Sequence, residues 1–439
     1  MKSSRKLRML TAGALLGLFL LVVAVGASAA KSKAGLDPSY GNEGVASALP
    51  PGSSPGYQFG TRFADAPDGS SYVLDRTNQC GPSSCSITTS IYRLSSSGAF
   101  DPGFGGSGSV QLPVTTRVEG EAEPTMAVDA SGRLLVAQAE NGAVVVRRFT
   151  AAGSLDGSFG SGGMTSFPCA GCERTSVWLL PAPNGRVVVE RQTALSPKPG
   201  AFGAGLGGQV SLTRLTPGGW PERHFGDGGT VTIELGRRGY PGKAAVSPKG
   251  AILFGAVECC SGNAPYLVRV STKGRVDTKF GKAAGRSLAR LSRQGETSSL
   301  RALLPRANGT IELLGNDALG AGFDLRLKAN GDRATFGHGG LKKLPFMIEA
   351  ARLGAEGGIF AVGRNGTGPY SAFRLLADGR VDPAYGSQGI AVPLSGSGYT
   401  LGTPSRGKVL VFDAGNHECR GGCVATPAVA RFIEGSSKG

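Results

Sequence analysis

Eight cysteines stand in four close pairs: Cys80/Cys85, Cys169/Cys172, Cys259/Cys260 and Cys419/Cys423. An even set of this kind can be oxidised to local bridges, or the C-x-x-C spacing of Cys169/Cys172 can offer thiolates to zinc. A four-ligand zinc site would need its second half from far along the chain, and the histidines are few (His224, His338 and His417). Local disulfides are therefore the expectation and a metal site the alternative; the adjacent Cys259 and Cys260 either form a vicinal bridge or pair elsewhere. No Ser/His/Asp constellation or paired-carboxylate motif stands out. Gly203-Ala-Gly205 lacks the strand-to-helix context a phosphate loop requires. What remains is charge. From Lys273 to Arg306 nine basic residues face Asp277 and Glu296 alone. Arg286, Arg290 and Arg293 in this stretch, with Arg237 and Arg238, are the candidate anion-binding residues, for an acidic polysaccharide or wall polymer. Trp178 and Trp220 are the only tryptophans, which argues against a stacking platform for either sugar or nucleic acid and disfavours nucleic acid as a partner.

Those residues are carried by a repeat. The string acid-x-x-aromatic-Gly recurs as Asp37/Tyr40, Asp101/Phe104, Asp156/Phe159, Glu222/Phe225, Asp277/Phe280 and Asp382/Tyr385, with a degenerate copy at Phe336-Gly337. From Tyr40 to Tyr385 the aromatics recur with a mean spacing of 57.5 residues. Each period also holds a tight turn such as Asp68-Gly69 or Asn308-Gly309 before an apolar run, which reads as a β-hairpin. A strand with one arginine follows: Arg93, Arg148, Arg214, Arg269, Arg326, Arg374 and Arg431. Four strands per period can be lettered a (after the aromatic-Gly), b (before the tight turn), c (after it) and d (with the arginine). Seven such units predict an all-β fold, a seven-bladed β-propeller of four-stranded antiparallel blades.

The arginine precedes the acid by eight residues in five copies, Arg93/Asp101, Arg148/Asp156, Arg214/Glu222, Arg269/Asp277 and Arg374/Asp382. Blade faces are covered by their neighbours, and a buried guanidinium needs a partner. The acid is that partner, or else it caps its own turn as an Asx motif. The aromatics Tyr40, Phe104, Phe159, Phe225, Phe280 and Tyr385 are expected to wedge between blades, in a structural role. Copy six has Ala334 at the acid's place, with Asp332 nearby. Asp37 lacks a preceding arginine strand and Arg431 a following signature, so ring closure would bring these two together. The cysteine pairs, the Gly200–Gly208 insertion and Arg237-Arg238 all fall in c–d or a–b connections. In an antiparallel blade these share one face, the face on which a partner is expected. Strand a is read as lining the channel; Val45–Leu49, Val110–Leu112 and Val231–Leu235 show Glu234 and little else acidic, which favours binding over catalysis.

The chain of 439 residues carries 47 Lys+Arg against 31 Asp+Glu, a formal charge of +16, and is 40% hydrophobic, enough to exclude wholesale disorder. Lys2, Arg5, Lys6 and Arg8 precede an uncharged run, Met9–Val25, and the A-x-A triplet Ala27-Ser28-Ala29. That is the pattern of a secretory signal peptide over 1–29, cut after Ala29, with a retained anchor as the alternative. A linker at 30–34, a propeller at 35–435 and a tail at 436–439 would follow. The repeat resembles the delta-60 repeat, found in tandem in bacterial exported proteins. The resemblance implies a propeller-like fold and carries no catalytic residues. The expectation is a secreted or cell-surface monomer, touching the membrane only through its signal peptide, and acting as a non-catalytic binding or scaffold module for an anionic polymer or a protein. No cofactor is expected. The alternative is a calcium- or quinone-dependent propeller enzyme (a lactonase, hydrolase or dehydrogenase), for which Ca²⁺ would be a candidate ligand.

Overall fold

Strands such as Leu134–Glu140 and Ile311–Asn316 each bury six consecutive residues rather than alternate ones. Both faces of such a strand are covered by neighbouring sheets, so the period-two pattern of a half-exposed strand is lost. The computed structural model describes residues 35–51, 61–80, 85–116, 123–140, 142–168, 175–194, 208–235, 239–258, 264–281, 299–354, 357–391, 399–403, 405, 407–413 and 427–433. The chain divides into two units, Met1–Lys31 and Ser32–Gly439, and the fold is that of the second. The expected signal peptide, linker and tail lie outside the described residues.

Seven antiparallel sheets form a ring, a seven-bladed β-propeller with almost no helix. Blade 1 runs Arg62–Asp65, Ser71–Cys80, Cys85–Leu94, Val110–Gln111 from first strand to last. Blade 2 runs Thr125–Val128, Leu134–Glu140, Ala143–Phe149, Met164–Pro168, and blade 3 Thr175–Ala182, Arg186–Ala194, Gly208–Leu215, Thr230–Glu234. Blade 4 begins at Gly239–Val246, blade 5 at Ser299–Pro305 and blade 6 at Met347–Leu353. Blade 7 combines Tyr399–Leu401, Lys408–Asp413 and Ala428–Ile433 with Val45–Ser47 from the start of the chain. The first strands of blades 1 to 7 pack on one another around the ring. Between blades 7 and 1 the Thr403 amide donates to Asp65 Oδ2 at 2.8 Å. The first strand of every blade is therefore the inner one.

This corrects the sequence reading of the channel. Each sheet whose fourth strand is described runs b-c-d-a, so the strand after the signature is the outer rim. Thr230–Glu234 pairs with Gly208–Leu215 on one side alone, and Glu234 is exposed, accepting a bond from Gln209 Nε2 at 2.5 Å. The reason is one of phase: a tandem repeat has the same period wherever it is cut, so spacing does not mark which strand is innermost.

At four joints the arginine of the repeat makes three kinds of contact. Arg148 Nε donates to Asp156 Oδ2 at 2.8 Å, its guanidinium lies 4.6 Å over the Phe159 ring, and Nη1 donates to the Pro217 carbonyl of blade 3 at 2.6 Å. Arg269, Arg326 and Arg431 likewise reach Ala329, Ala377 and Ser96 of the next blade, each three residues past that blade's own arginine. The Gly160 amide donates to the Gly218 carbonyl at 2.7 Å. A Cβ on Gly219, at φ +83°, would stand 2.8 Å from Phe159 ring carbons, so glycine there lets the aromatic wedge between blades.

The other signature aromatics are buried at their joints, but they do not all meet the arginine in the same way. Phe225 and Phe280 are fully enclosed, and the guanidinium groups of Arg214 and Arg269 lie 4.2 and 4.4 Å over their rings. Phe104 is equally buried, yet its described ring partner is Tyr72, 5.7 Å away and tilted by 55°. It packs with Met126, Leu134 and Val136 of blade 2. Arg93 divides its donors between Asp101 and Asp68.

The two readings of the signature acid are one arrangement. Asp156 Oδ1 accepts the Ser158 amide at 3.0 Å while Oδ2 takes Arg148. Asp37, Asp101 and Asp277 divide their oxygens in the same way, and Asp382 pairs with Arg374 at 3.2 Å. Glu222, longer by one methylene, instead receives both Arg214 and Arg186, at 2.7 and 3.0 Å. Copy six replaces its missing acid by a different route. Glu312, on the neighbouring strand and directly opposite Arg326, accepts from its Nε at 2.7 Å, and Arg326 stacks 3.7 Å over Phe336. Asp332 bonds Asn330.

Ring closure uses the same joint. Arg431 Nε donates to Asp37 Oδ2 at 2.7 Å, its guanidinium lies 4.6 Å over Tyr40, and the Asp37 amide donates to the Arg431 carbonyl at 2.8 Å. Lys408 adds a contact to Asp37 at 2.7 Å. Burial by itself would raise the Asp37 carboxyl; bonds from Lys408 and Ser39 and the charge of Arg431 hold it well below the usual carboxylate range.

Candidate functional site

The inner strands of blades 4, 5 and 6 each carry a β-bulge. The register slips between Pro241 and Ala244, between Leu300 and Ala302, and between Ile348 and Ala350. The residues left out of register include Lys243, Arg301 and Glu349, three charged side chains in consecutive blades. A bulge bends the strand and re-aims a side chain out of the alternating pattern. Opposite each bulge is a glycine: a Cβ on Gly315 or Gly363 would lie 1.9 or 1.8 Å from the Ser299 or Met347 carbonyl oxygen, and one on Gly255 only 3.2 Å from that of Lys243.

The bulged charges interact across blades. Arg301 Nη1 lies 3.8 Å from Glu349 Oε1. Burial lowers the Lys243 ammonium pKa, the cations Arg352 and Arg301 lower it further, and Glu349 and Glu190 oppose them. Lys243 is reached by solvent and yet surrounded by protein, as a channel side chain must be. Arg352 is depressed by burial against the pull of Asp65. Burial raises Asp65, although the Thr403 amide and Arg352 stabilise its charged form. Across the ring, Arg62 pairs with Glu123 and is lowered by burial and by Arg76. The seven inner strands thus hold four cations, Arg62, Lys243, Arg301 and Arg352, against two carboxylates, Asp65 and Glu349.

A pocket of about 270 Å³ opens between blades 3 and 4, lined by Trp178, Leu180, Glu190, Gln192, Pro241, Gly242, Lys243, Ala244 and Leu300. Trp178 is 39% exposed, and Lys243 Nζ stands 5.6 Å from its ring centroid. Glu190 lies directly across from Trp178 in the sheet and is 1% exposed. Burial pushes its carboxyl up to about 7, against a bond from Gln192 and the charge of Lys243. Gln192 Nε2 donates to Glu190 Oε1 at 2.6 Å and to the Gly242 carbonyl at 3.0 Å; the bulge leaves that carbonyl outside the strand ladder. A second pocket of about 260 Å³ lies at the seam of blades 7 and 1, beside Asp65, Lys408 and Arg431. Lys408 and Arg431 are there committed to Asp37.

Of the residues singled out in the sequence, the signature set is brought together at the joints. Phe104, Phe225 and Phe280 are shut away there from any ligand and belong to the core rather than to a site. His224 and His338 are exposed. Arg237, Arg238, Arg286, Arg290, Arg293, His417, Cys169, Cys172, Cys259, Cys260, Cys419 and Cys423 lie outside the described residues. Cys80 and Cys85 are register partners at the end of a hairpin. The described basic residues of Lys273–Arg306 do not form one patch. Lys273, Arg275 and Lys279 belong to the blade 4 signature turn, Arg301 to the inner strand of blade 5, and Arg306 is bound to Glu312 and the Gly357 carbonyl. Among the described residues no group of three His, Cys, Asp or Glu side chains is placed to hold a metal ion. The pocket was missed in the sequence because tryptophan was weighed by number. The available signals were Glu190 directly after the apolar run Val187–Val189 and the lone lysine of Gly239–Val246.

No family model and no curated protein matches the chain. Among solved structures it is similar to a protein of unknown function from Dyadobacter fermentans DSM 18053, at 14% identity and a TM-score of 0.43 over 89% of this chain and 99% of that one. The WD40 domain of Toxoplasma gondii coronin is similar at 10% identity and 0.47, over 86% and 82%. An α-L-arabinanase from Penicillium chrysogenum, complexed with arabinobiose, is similar at 11% and 0.41, over 89% and 98%. Likenesses this distant say nothing about function.

Proposed function

We propose that the protein is an exported, non-catalytic binding module of the delta-60 repeat type that takes an anionic polymer at its central channel. One observation carries this reading: the inner strands hold more cations than carboxylates, and among the described residues Lys243 has no ion-pair partner. A wall with a net excess of one sign, partly enclosed in protein, concentrates ligands of the other sign. The bulges that aim Lys243, Arg301 and Glu349 are a local departure from strand regularity, which a scaffold alone does not need.

The test is calorimetric titration of the oxidised protein, residues 30–439, with polygalacturonate and polyphosphate at low and high salt. Binding that weakens steeply as salt rises, and weakens further in Lys243→Gln and Arg352→Gln, is the expected result. Absence of polyanion binding together with a rise in melting temperature on adding Ca²⁺ or a quinone cofactor would replace this reading with the enzymatic one. Export is tested separately, by sequencing the amino terminus of the protein recovered from culture medium; a start at Ala30 is expected.

A further inference from the structure

We propose that the pocket between blades 3 and 4 is a subsite for a single pyranose ring bearing a carboxylate, stacked on Trp178 with its acid group on Lys243. This rests on the channel reading above and names the chemical unit that the channel recognises.

Three features of the pocket define the ligand. Trp178 presents 39% of its surface although a large aromatic is ordinarily well buried, so an apolar face is on offer. The Lys243 ammonium lies over the Trp178 ring at 5.6 Å from its centroid, at the outer edge of cation–π range, and has no carboxylate partner among the described residues, so an anion can draw it off the ring. Arg352 and Arg301 repel it, and a bound anion would relieve the repulsion. Gln192 spends both amide hydrogens on Glu190 and Gly242, which leaves its own side-chain oxygen as an acceptor beside the Glu190 carboxyl. Acceptors of this kind call for hydroxyl donors.

A ligand must therefore combine an anionic group, a flat C–H face and several hydroxyls. Inorganic phosphate has no face to stack. An aromatic acid has a face but no hydroxyls for Gln192 and Glu190, and a neutral sugar leaves the Lys243 charge uncompensated. A uronic acid ring meets all three demands. The volume of about 270 Å³ lies just below the roughly 300–1,000 Å³ of pockets that enclose larger organic ligands, which suits one ring of a polymer whose neighbours continue along the channel.

The experiment uses Trp220→Phe, which leaves Trp178 as the sole tryptophan of the chain. Its emission is followed while oligogalacturonate, the neutral galactose oligomer of equal length, and inorganic phosphate are titrated in turn. The proposal expects a saturable change with the uronate alone. By calorimetry it expects affinity for oligogalacturonate to fall roughly tenfold in Trp178→Ala and in Lys243→Gln, the worth of a stacking contact or a charge pair. Trp178 and Lys243 are both solvent-exposed, so these variants keep the fold, which circular dichroism verifies. Oligogalacturonate binding that leaves Trp178 emission and both variants unaffected overturns the subsite while the channel reading stands, as does equal binding of the neutral oligomer. Failure of every polyanion to bind overturns the channel reading and the subsite with it.

Discussion

Glu190 shows how one residue can tie stability to pH. Its carboxyl is buried between blades, and its folded value of about 7 lies above the ordinary 4.5. A raised acid binds its proton more tightly in the folded state, so its contribution is intact below about pH 4.5 and is lost as pH rises towards 7. The loss amounts to roughly 3 kcal/mol. Glu190→Gln, which keeps the shape without the ionisation, is expected to flatten this part of the curve; denaturant unfolding of both proteins at pH 5 and pH 8 measures the difference. If the two curves keep the same slope, Glu190 is not the titrating group. Little of this was visible in the sequence. A glutamate directly after three valines is a visible anomaly, but its significance depends on Trp178, 12 residues away and set opposite it by the blade 3 hairpin, and on Lys243, 53 residues away and brought beside it by the blade 3–4 interface. The opposite holds for the signature, where arginine and acid are eight residues apart and join within one turn. There the sequence spacing was enough to name both partners.

Among the elements, the inner strands depart most from regular geometry, and the glycines of the second strands permit it. A methyl group on Gly363 would overlap the Met347 carbonyl oxygen at 1.8 Å, and backbone cannot yield as a side-chain end can. Gly363→Ala is therefore expected to destabilise the protein by more than about 2 kcal/mol, through loss of the bulge that aims Glu349. Gly157→Ala, where a Cβ would meet nothing within 4 Å, should stay within about 0.5 kcal/mol of the parent. Unfolding in urea compares the three proteins, and equal stabilities would mean that the bulge is not held by its glycine. The strands themselves were legible, because tight turns and apolar runs mark hairpins wherever they occur. Their order within a blade was not, since a period has no beginning. The replacement of the missing acid in copy six left a trace that register makes readable afterwards. The position opposite the arginine is apolar in five blades, at Leu135, Val188, Leu253, Phe360 and Leu410, aromatic at Tyr72 in blade 1, and acidic only at Glu312.

For the whole molecule, the ring depends on Arg431 and Asp37, both buried and 394 residues apart. Removing the arginine strands a carboxylate in protein with Lys408 as its remaining cation. Arg431→Ala should cost about 3–5 kcal/mol, whereas Arg93→Ala, whose pair with Asp101 is more open to water, should cost less. The depressed Asp37 carboxyl makes its contribution above its ordinary value of 3.8 and loses it as pH falls further. The gap between Arg431→Ala and the parent should therefore narrow in acid; a gap independent of pH would place the effect elsewhere than in this ion pair. Closure was foreseeable because each end of the chain lacks the half that the other possesses. The seam also has a consequence for how the chain is threaded. The Ile433 amide already bonds the Gly35 carbonyl at 2.8 Å, and the contacts across the gap are those of the uncut joints. A short linker from 433 to 35, with the backbone opened instead at the exposed turn around Gly366, outside every signature, would yield a circular permutant with the same seven joints in a new order of synthesis. The ring has a place where it is cut, but its contacts give no reason for the cut to be there.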